Sequence, residues 1–264
     1  MTDAPGIAHP PETVEGWYAL HQIYRSPAGE DAHKKLEPGE NRESPSGRGW
    51  STWVRLIGSP ADLMLIHFRP TLDDIASAQD ASRHWIASLG LELAYSFLSV
   101  TEAGLYHITA QLAADAEKRG GKIGDEAYRA EMSQRVTAEL ESEHVKRRLY
   151  PQPSPDMPWV CFYPMSKKRE PGQNWYSLPL EERSRLMHAH GMTGRKYAGR
   201  IQQIITGAIG FDAWEWGVTL FARDPLDFKR IVTEMRFDEV SAKYAEFGDF
   251  YVGRVLSREA VSPD

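Results

Sequence analysis

The chain carries a single cysteine, Cys161, among its 264 residues. One thiol excludes an intramolecular disulfide and a Cys-built zinc site, and it fits a reducing compartment. Long apolar runs are missing as well. No window approaches 18 apolar residues, and the opening MTDAPGIAHPPETVEGW shows no basic segment followed by an apolar one. The expectation is a soluble cytoplasmic protein with no membrane partner. Basic charge is not in excess, with 31 Lys and Arg against 37 Asp and Glu. This argues against nucleic acid as a partner, because binders of a phosphate backbone concentrate positive charge. No Gly-rich phosphate loop, G-x-S-x-G, H-E-x-x-H or Cys-His metal pattern occurs, so the common hydrolase and kinase chemistries have no support.

What is present is a globular composition, 41% hydrophobic and 26% charged, in a chain long enough to bury a large core. Residues 1–13 are Pro-rich and polar and read as a loose arm. Aromatic and β-branched residues over 15–24 predict a strand. Residues 26–49 are dominated by Pro, Gly, Ser and charge and read as an exposed insertion. Strands are expected over 50–57 and 62–68 around the turn Gly58-Ser-Pro60. A helix capped by Thr71 should run to about Leu89, with Gly90 as its stop, before a strand over 94–100. A charged amphipathic helix is expected over 125–149 and a strand over 158–163. The next helix runs from Leu178 to His190, where Gly191 can end it. Strands over 199–210 and 214–222, a helix from Pro225 and a strand over 250–253 complete the reading.

The two halves repeat an order. Leu65-Ile-His-Phe-Arg-Pro-Thr-Leu-Asp-Asp-Ile75 matches Thr219-Leu-Phe-Ala-Arg-Asp-Pro-Leu-Asp-Phe228, with Leu72-Asp73 facing Leu226-Asp227 after one gap. Phe97-Leu-Ser-Val100 then answers Phe250-Tyr-Val252. A β-β-α-β type unit used twice implies an α+β protein with two antiparallel sheets and helices outside.

Polar and special residues are densest in Tyr163-Pro-Met-Ser-Lys-Lys-Arg169, Asn174-Trp-Tyr and His188-Ala-His-Gly-Met-Thr-Gly-Arg-Lys-Tyr-Ala-Gly199. His188 and His190 are two apart, so on a helix they point about 200° apart and cannot share a metal. His190 falls with Leu186 and Met187, whereas His188 falls with charged residues. A neutral imidazole on an apolar helix face can bind a haem iron; a core histidine bonded locally gives the same pattern. Tyr163 ends a strand before Pro164, which suits either a phenol held at a cleft edge or an ordinary edge tyrosine. Lys167, Lys168 and Arg169 also fit a solvated turn. Lys146, Arg147 and Arg148 complement the negative end of a helix dipole.

Taken together, Tyr163-Pro-Met-Ser-Lys-Lys-Arg, Asn174-Trp-Tyr, 187–199, Phe211-Asp-Ala-Trp-Glu-Trp-Gly-Val-Thr-Leu-Phe221 and Met235-Arg-Phe-Asp-Glu-Val-Ser-Ala-Lys-Tyr244 resemble the coproheme decarboxylases, the hydrogen-peroxide-dependent haem-synthesis branch of the chlorite dismutase superfamily. The likeness runs from about 145 to 255. It is looser through Glu15-Gly-Trp-Tyr and Phe68-Arg-Pro-Thr-Leu-Asp, and 26–49 departs from it.

The resemblance implies a duplicated ferredoxin-like fold of the dimeric α/β-barrel type, with halves 14–145 and 146–257, a homopentamer, and haem in the C-terminal half. It implies His190 as the axial iron ligand and Tyr163 as the redox-active tyrosine. Pro164, Met165, Ser166 and Lys167 would line the porphyrin, Arg148, Ser241 and Tyr128 would contact propionates, and Gln203 would be the distal glutamine. The implied substrate, Fe-coproporphyrin III, also serves as redox cofactor and carries four propionates, which suit a bidentate Arg148, the point charge of Lys167 and hydroxyl donors. With peroxide, a Tyr163 radical would take hydrogen from a propionate β-carbon and CO₂ would leave as a vinyl group forms. Two rounds, through a monovinyl intermediate, would give haem b, with Lys167 assisting proton transfer. Chlorite dismutases have arginine where Gln203 offers a neutral amide, so chlorite turnover is disfavoured; no distal Asp-Arg pair of related peroxidases is seen. The alternatives are a non-catalytic haem carrier or sensor and a chlorite-dismutase-like haem enzyme. Ferrochelatase is a transient partner by pathway logic alone.

Overall fold

The computed structural model describes residues 9–27 and 49–256; the parts of the expected arm and insertion that fall on 1–8 and 28–48 lie outside the described residues. Nine strands alternate with seven helices among them: β1 (Thr13–Arg25), β2 (Trp50–Leu56), β3 (Leu63–Arg69), α1 (Leu72–Ser88), β4 (Glu92–Gly104), α2 (Tyr106–Lys118), α3 (Glu126–Glu141), α4 (Glu143–Leu149), β5 (Trp159–Lys167), α5 (Leu180–Arg195), β6 (Ile201–Gly207), β7 (Trp216–Ala222), α6 (Leu226–Arg236), α7 (Glu239–Tyr244), β8 (Ala245–Phe247) and β9 (Tyr251–Val255). No helix among the described residues is long and apolar enough to cross a membrane.

The strands run β4-β1-β3-β2 in the first half and β9-β5-β7-β6 in the second. These are the same spatial order, and they put β3 and β7, α1 and α6, and β4 and β9 in equivalent places, as the repeat predicts. The two antiparallel sheets do not stay separate. Val100↔Gly207 and Thr101↔Thr206 join β4 to β6, and Val54↔Val255, Arg55↔Arg254 and Leu56↔Gly253 join β2 to β9. The ladder therefore closes on itself, which removes free sheet edges. β8 and β9 share one edge of β5, opposite Met165–Lys167 and Trp159–Phe162, while β7 lies on the other.

The barrel interior is filled by apolar side chains. Phe68, Phe97, Phe162 and Phe221 are at most 1% exposed and pack with Trp17, Ile23, Val54, Ile66 and Ile204. Each such side chain contributes about 1.5–3 kcal/mol on burial, so the interior is a core and any ligand site must lie on the outer face. His21 is the polar guest inside, stacked on Phe162 at 4.1 Å with Nε2 2.9 Å from Thr219 Oγ1. Burial, reinforced by nearby His67, lowers its pKa to about 3, so the ring is neutral.

Three expectations need correction. The arm is engaged from His9 onward: His9 O accepts from Arg183, and Glu12 N–H donates to Thr109 Oγ1 at 2.9 Å. The helix expected over 125–149 is two helices, because Ser142 adopts an extended ψ of 127°; the break lets Val145 and Leu149 pack on β1 and β4 while Met132 packs on α2. α5 passes through Gly191 and continues to Arg195. A glycine inside a helix costs only about 1 kcal/mol, and Gly194 one turn on lies 3.2 Å (from its would-be Cβ) from the Gln203 amide, a close approach that favours continuing. Finally, α2, α7 and β8 occupy residues left unassigned.

Gly16 allows α4 to dock, since a Cβ there would overlap the carbonyl of Leu149, a position also held by Thr101 Oγ1 at 2.7 Å. Gly16→Ala is therefore expected to lose about 1–3 kcal/mol, read as a lower midpoint in urea unfolding; an unchanged midpoint would show that α4 can shift freely.

Candidate functional site

Successive side chains of a strand face opposite sides. On β5, Val160 and Phe162 fill the barrel, whereas Cys161, Tyr163 and Met165 pack outward with Val218, Leu220, Phe228 and Ile231 beneath the helices. Lys167 shares that outer side, with Nζ 4.6 Å from the Trp175 ring centroid. The same alternation turns Pro164 and Ser166 the other way. Pro164 lies against Gly248, and Ser166 Oγ accepts from Glu215 N–H at 3.2 Å. Neither side chain is brought to the face that carries the Tyr163 ring.

Tyr163 stacks on Phe250 at 4.3 Å and meets Phe247 at 6.0 Å. Burial pushes its phenol pKa well up, Cys161 adds to this and Arg236 opposes it. The hydroxyl thus keeps its proton at neutral pH. The Arg236 guanidinium sits 3.7 Å over Phe247, placing a cation beside the phenol.

His190 projects from α5 and is half-buried, with Nδ1 2.8 Å from Asp238 Oδ2. Asp238 is also the cap of α7, where Oδ1 accepts from Ser241 N–H at 3.0 Å. Burial disfavours its charge, but the bonds from His190 and from the N–H groups of Ser241 and Val240 outweigh this and hold the carboxyl below its usual range. A carboxylate on Nδ1 assigns the ring proton there and leaves Nε2 as the free lone pair, the arrangement a metal-binding histidine needs. His188 is exposed, as its position on the helix predicts.

Lys167 is buried among carboxylates. Burial is the main reason its pKa falls to about 8, with Asp238 and Glu215 opposing the fall. Glu215 Oε2 accepts the Lys167 backbone N–H at 2.7 Å, and Oε1 lies 3.6 Å from Arg169. Gln203 is on β6, with Nε2 donating to Gly194 O of α5 at 3.3 Å.

Tyr163, Met165, Lys167, His190, Gln203 and Ser241 thus belong to one layer between the outer sheet face and α5 to α7. One other expected residue does not. Tyr128 is 2% exposed in a cluster with Leu112, Ala116 and Met132, so α2 and α3 hold its ring away from this layer. Arg148 is in the last turn of α4, in the field of Glu102. Asp238, Arg236, Glu215 and Trp175 lie inside the motifs that carry the resemblance, but no role is assigned to them from sequence. Asp238 has a signal of its own, a capping Asp three residues before Ser241.

A closed antiparallel barrel of two ferredoxin-like halves, with a carboxylate-anchored histidine on α5 and a buried tyrosine on the outward face of β5, defines an α+β barrel with a candidate site on its outer face. The chlorite dismutase family profile matches residues 15–256, and the chain belongs to that family. A coproheme decarboxylase of Staphylococcus saprophyticus is 38% identical over 265 residues, covering 94% of this chain and 95% of its own. One from Thermus thermophilus is 40% identical over 269 residues, covering 97% and 96%. The structure of a haem-binding protein from Thermus thermophilus superposes with a TM-score of 0.74 at 40% identity, covering 97% of each chain. Chlorite dismutase from Candidatus Nitrospira defluvii, in complex with imidazole, gives 0.62 at 17% identity and 93% coverage of each, a likeness of fold.

In protein labelled with ¹³C at lysine Cε, one resonance, lost in Lys167→Met, is expected to titrate near pH 8, about 8 being the value that burial imposes. Because this folded value lies below that of the unfolded chain, the penalty for the buried charge is present below pH 8 and fades as pH rises toward the unfolded lysine value. Titration of every lysine above pH 10 would place Lys167 in water.

Proposed function

We propose that the chain acts as a coproheme decarboxylase, converting two propionates of Fe-coproporphyrin III to vinyl groups with hydrogen peroxide and releasing haem b. The observation that carries this reading is one layer holding both a buried, protonated Tyr163 and a His190 whose Nδ1 is anchored by Asp238. The near-full-length likeness to coproheme decarboxylases supports it.

The residues present fit an iron porphyrin. His190 has no hydrogen-bond partner on Nε2 among the described residues, and the surrounding Met165, Val232, Met235 and Phe247 are apolar and only partly buried. His190 would hold the iron, and Met165, Lys167, Gln203 and Ser241 would border the ring within the C-terminal half, residues 146–257. When bound, the iron porphyrin supplies the oxidising capacity drawn from peroxide.

The chain's own chemistry starts at Tyr163. It gives up its phenolic hydrogen as one electron and one proton, recovers a hydrogen atom from the propionate β-carbon, and is ready for the second propionate. Loss of the next electron and of CO₂ leaves the vinyl group. Each propionate thus yields two electrons and one proton, and one peroxide takes up the two electrons with two protons to give two waters. Arg236, beside the phenol, offers the reacting carboxylate a bidentate partner. Lys167, poised near pH 8, can return the further proton that each turnover consumes. Asp238 keeps His190 in one tautomer and one orientation throughout.

Gln203 gives this site a neutral amide already bonded to the helix backbone, which offers a chlorite anion no charge. The assembly we propose is a homopentamer, and a contact with ferrochelatase is proposed on pathway logic.

Two variants test the reading. Tyr163→Phe is expected to bind Fe-coproporphyrin III within about threefold of the parent, an energy change of under 1 kcal/mol, yet to lose decarboxylation by more than a hundredfold. Tetrapyrrole masses followed during peroxide titration give the answer, and normal CO₂ loss in the variant would remove the radical role and favour a carrier. His190→Ala is expected to shift the Soret band and weaken porphyrin binding; an unaltered spectrum would put the iron ligand elsewhere.

A further inference from the structure

The two strands that share one edge of β5 do not join in register. Met165 pairs with Phe247 and Phe162 with Tyr251, so Tyr163 and Pro164 stand opposite three residues, Gly248, Asp249 and Phe250. The extra residue makes a β-bulge, and the proline supplies its cause. Pro164 O accepts from Gly248 N–H at 2.9 Å, but proline has no N–H to return along that edge. The close approach also needs glycine, since a Cβ on Gly248 would come within 2.7 Å of the Pro164 ring.

The bulge changes which way the aromatic residues point. Phe247 and Tyr251 are four apart and would share a face in a regular strand. Instead Phe247 packs with the outer cluster that holds Tyr163, while Tyr251 stacks on Phe162 at 6.3 Å on the inner side. Phe250, next to Tyr251, therefore falls on the outer face together with Phe247. Both rings reach Tyr163: Phe250 lies nearly parallel to it, at 4.3 Å and 23°, and Phe247 is tilted, at 6.0 Å and 53°. Tyr163 is 9% exposed and Phe250 38%, so Phe250 stands between one face of the phenol ring and water. A stacked ring covers a face and leaves the edge open, so this cover does not take up the hydroxyl.

We propose that the bulge opposite Pro164 makes Phe250 a positioning residue for Tyr163, a ring that fixes the orientation of the phenol and keeps water and dissolved reductants from it. The shielding is a property of the chain itself. Its use, to preserve oxidised Tyr163 until it meets the propionate β-carbon, rests on the function proposed above.

The first test treats the full, porphyrin-free chain with tetranitromethane and follows nitration of Tyr163 by mass spectrometry of the peptide 149–167. Tyr150 in the same peptide is exposed and serves as the reference. Phe250→Ala is expected to raise nitration of Tyr163 relative to Tyr150 by about tenfold, the change expected when a protecting group is lost and the ring opens to solvent. Phe250→Leu, which keeps apolar bulk, is expected to restore most of the protection, and Phe250→Val replaces the alanine variant should that misfold. Equal ratios in the folded parent and the truncated variant overturn the cover. The second test adds Fe-coproporphyrin III and stepwise peroxide, with and without ascorbate, which gives one hydrogen atom to an oxidised phenol and returns it to tyrosine. Ascorbate is expected to cut the yield of vinyl groups in Phe250→Ala and to leave that of the parent unchanged; equal loss in both overturns the role in the reaction. A parent that forms no vinyl groups sinks the functional reading, while the nitration result stands on its own.

Discussion

A strand inside a closed barrel has neighbours on both edges, so its register cannot slip and its two faces are fixed. β5 bears this constraint most heavily, paired with β7 along one edge and with β9 and β8 along the other. Val160 and Phe162 must then enter the core, and Cys161, Tyr163, Met165 and Lys167 must face the helices. A slip of one residue would bury Lys167 in the barrel and expose Phe162. The large aromatic side chains inside therefore do more than stabilise. They also fix the face on which the side chains with proposed roles stand.

Asp238 joins the helical layer to that strand. One oxygen caps α7 and the other holds His190 of α5, and its charge lies close to Lys167 of β5. Because one carboxylate both caps α7 and holds His190, the orientation of His190 depends on the start of a six-residue helix. Such a helix has little stability of its own; it persists because Val240 and Tyr244 are buried against Trp175 and Leu186. Core packing, helix capping and the state of the imidazole are thus one linked arrangement.

Most strands could be read from sequence because their aromatic and β-branched residues are bounded by Gly and Pro, and Thr71 caps α1 as expected, with Asp74 N–H 3.1 Å from its hydroxyl. The barrel's closure could not, since it rests on only two residue pairs between β4 and β6 and three between β2 and β9. α2 was passed over although Ile108, Leu112 and Ala116 recur at fours. Ser142 breaks a helix whose apolar spacing continues unbroken, because the second part must turn its apolar side to a different surface. In the site, Tyr163 and Lys167 follow from motif and alternation alike. Pro164 and Ser166 came from the motif alone, and alternation separates them. Asp238 lies 48 residues from His190, a distance no local pattern spans.

The electrostatics of the layer suit the tetra-anionic substrate we propose without an exposed basic patch. Buried Lys167 is compensated by Asp238 and Glu215, and the exposed Arg148 lies in the field of Glu102. A buried cation held against carboxylates avoids the large cost of an unpaired charge. Arg236 is placed differently, stacked on Phe247 beside Tyr163. A guanidinium over an aromatic face is desolvated on one side and keeps its donor edge free. The Arg236 guanidinium makes no ion pair seen among the described residues, and it stands next to Tyr163, whose phenol burial keeps protonated. In the reaction we propose, a propionate carboxylate held by Arg236 would bring its β-carbon toward Tyr163, the residue proposed to take hydrogen from it.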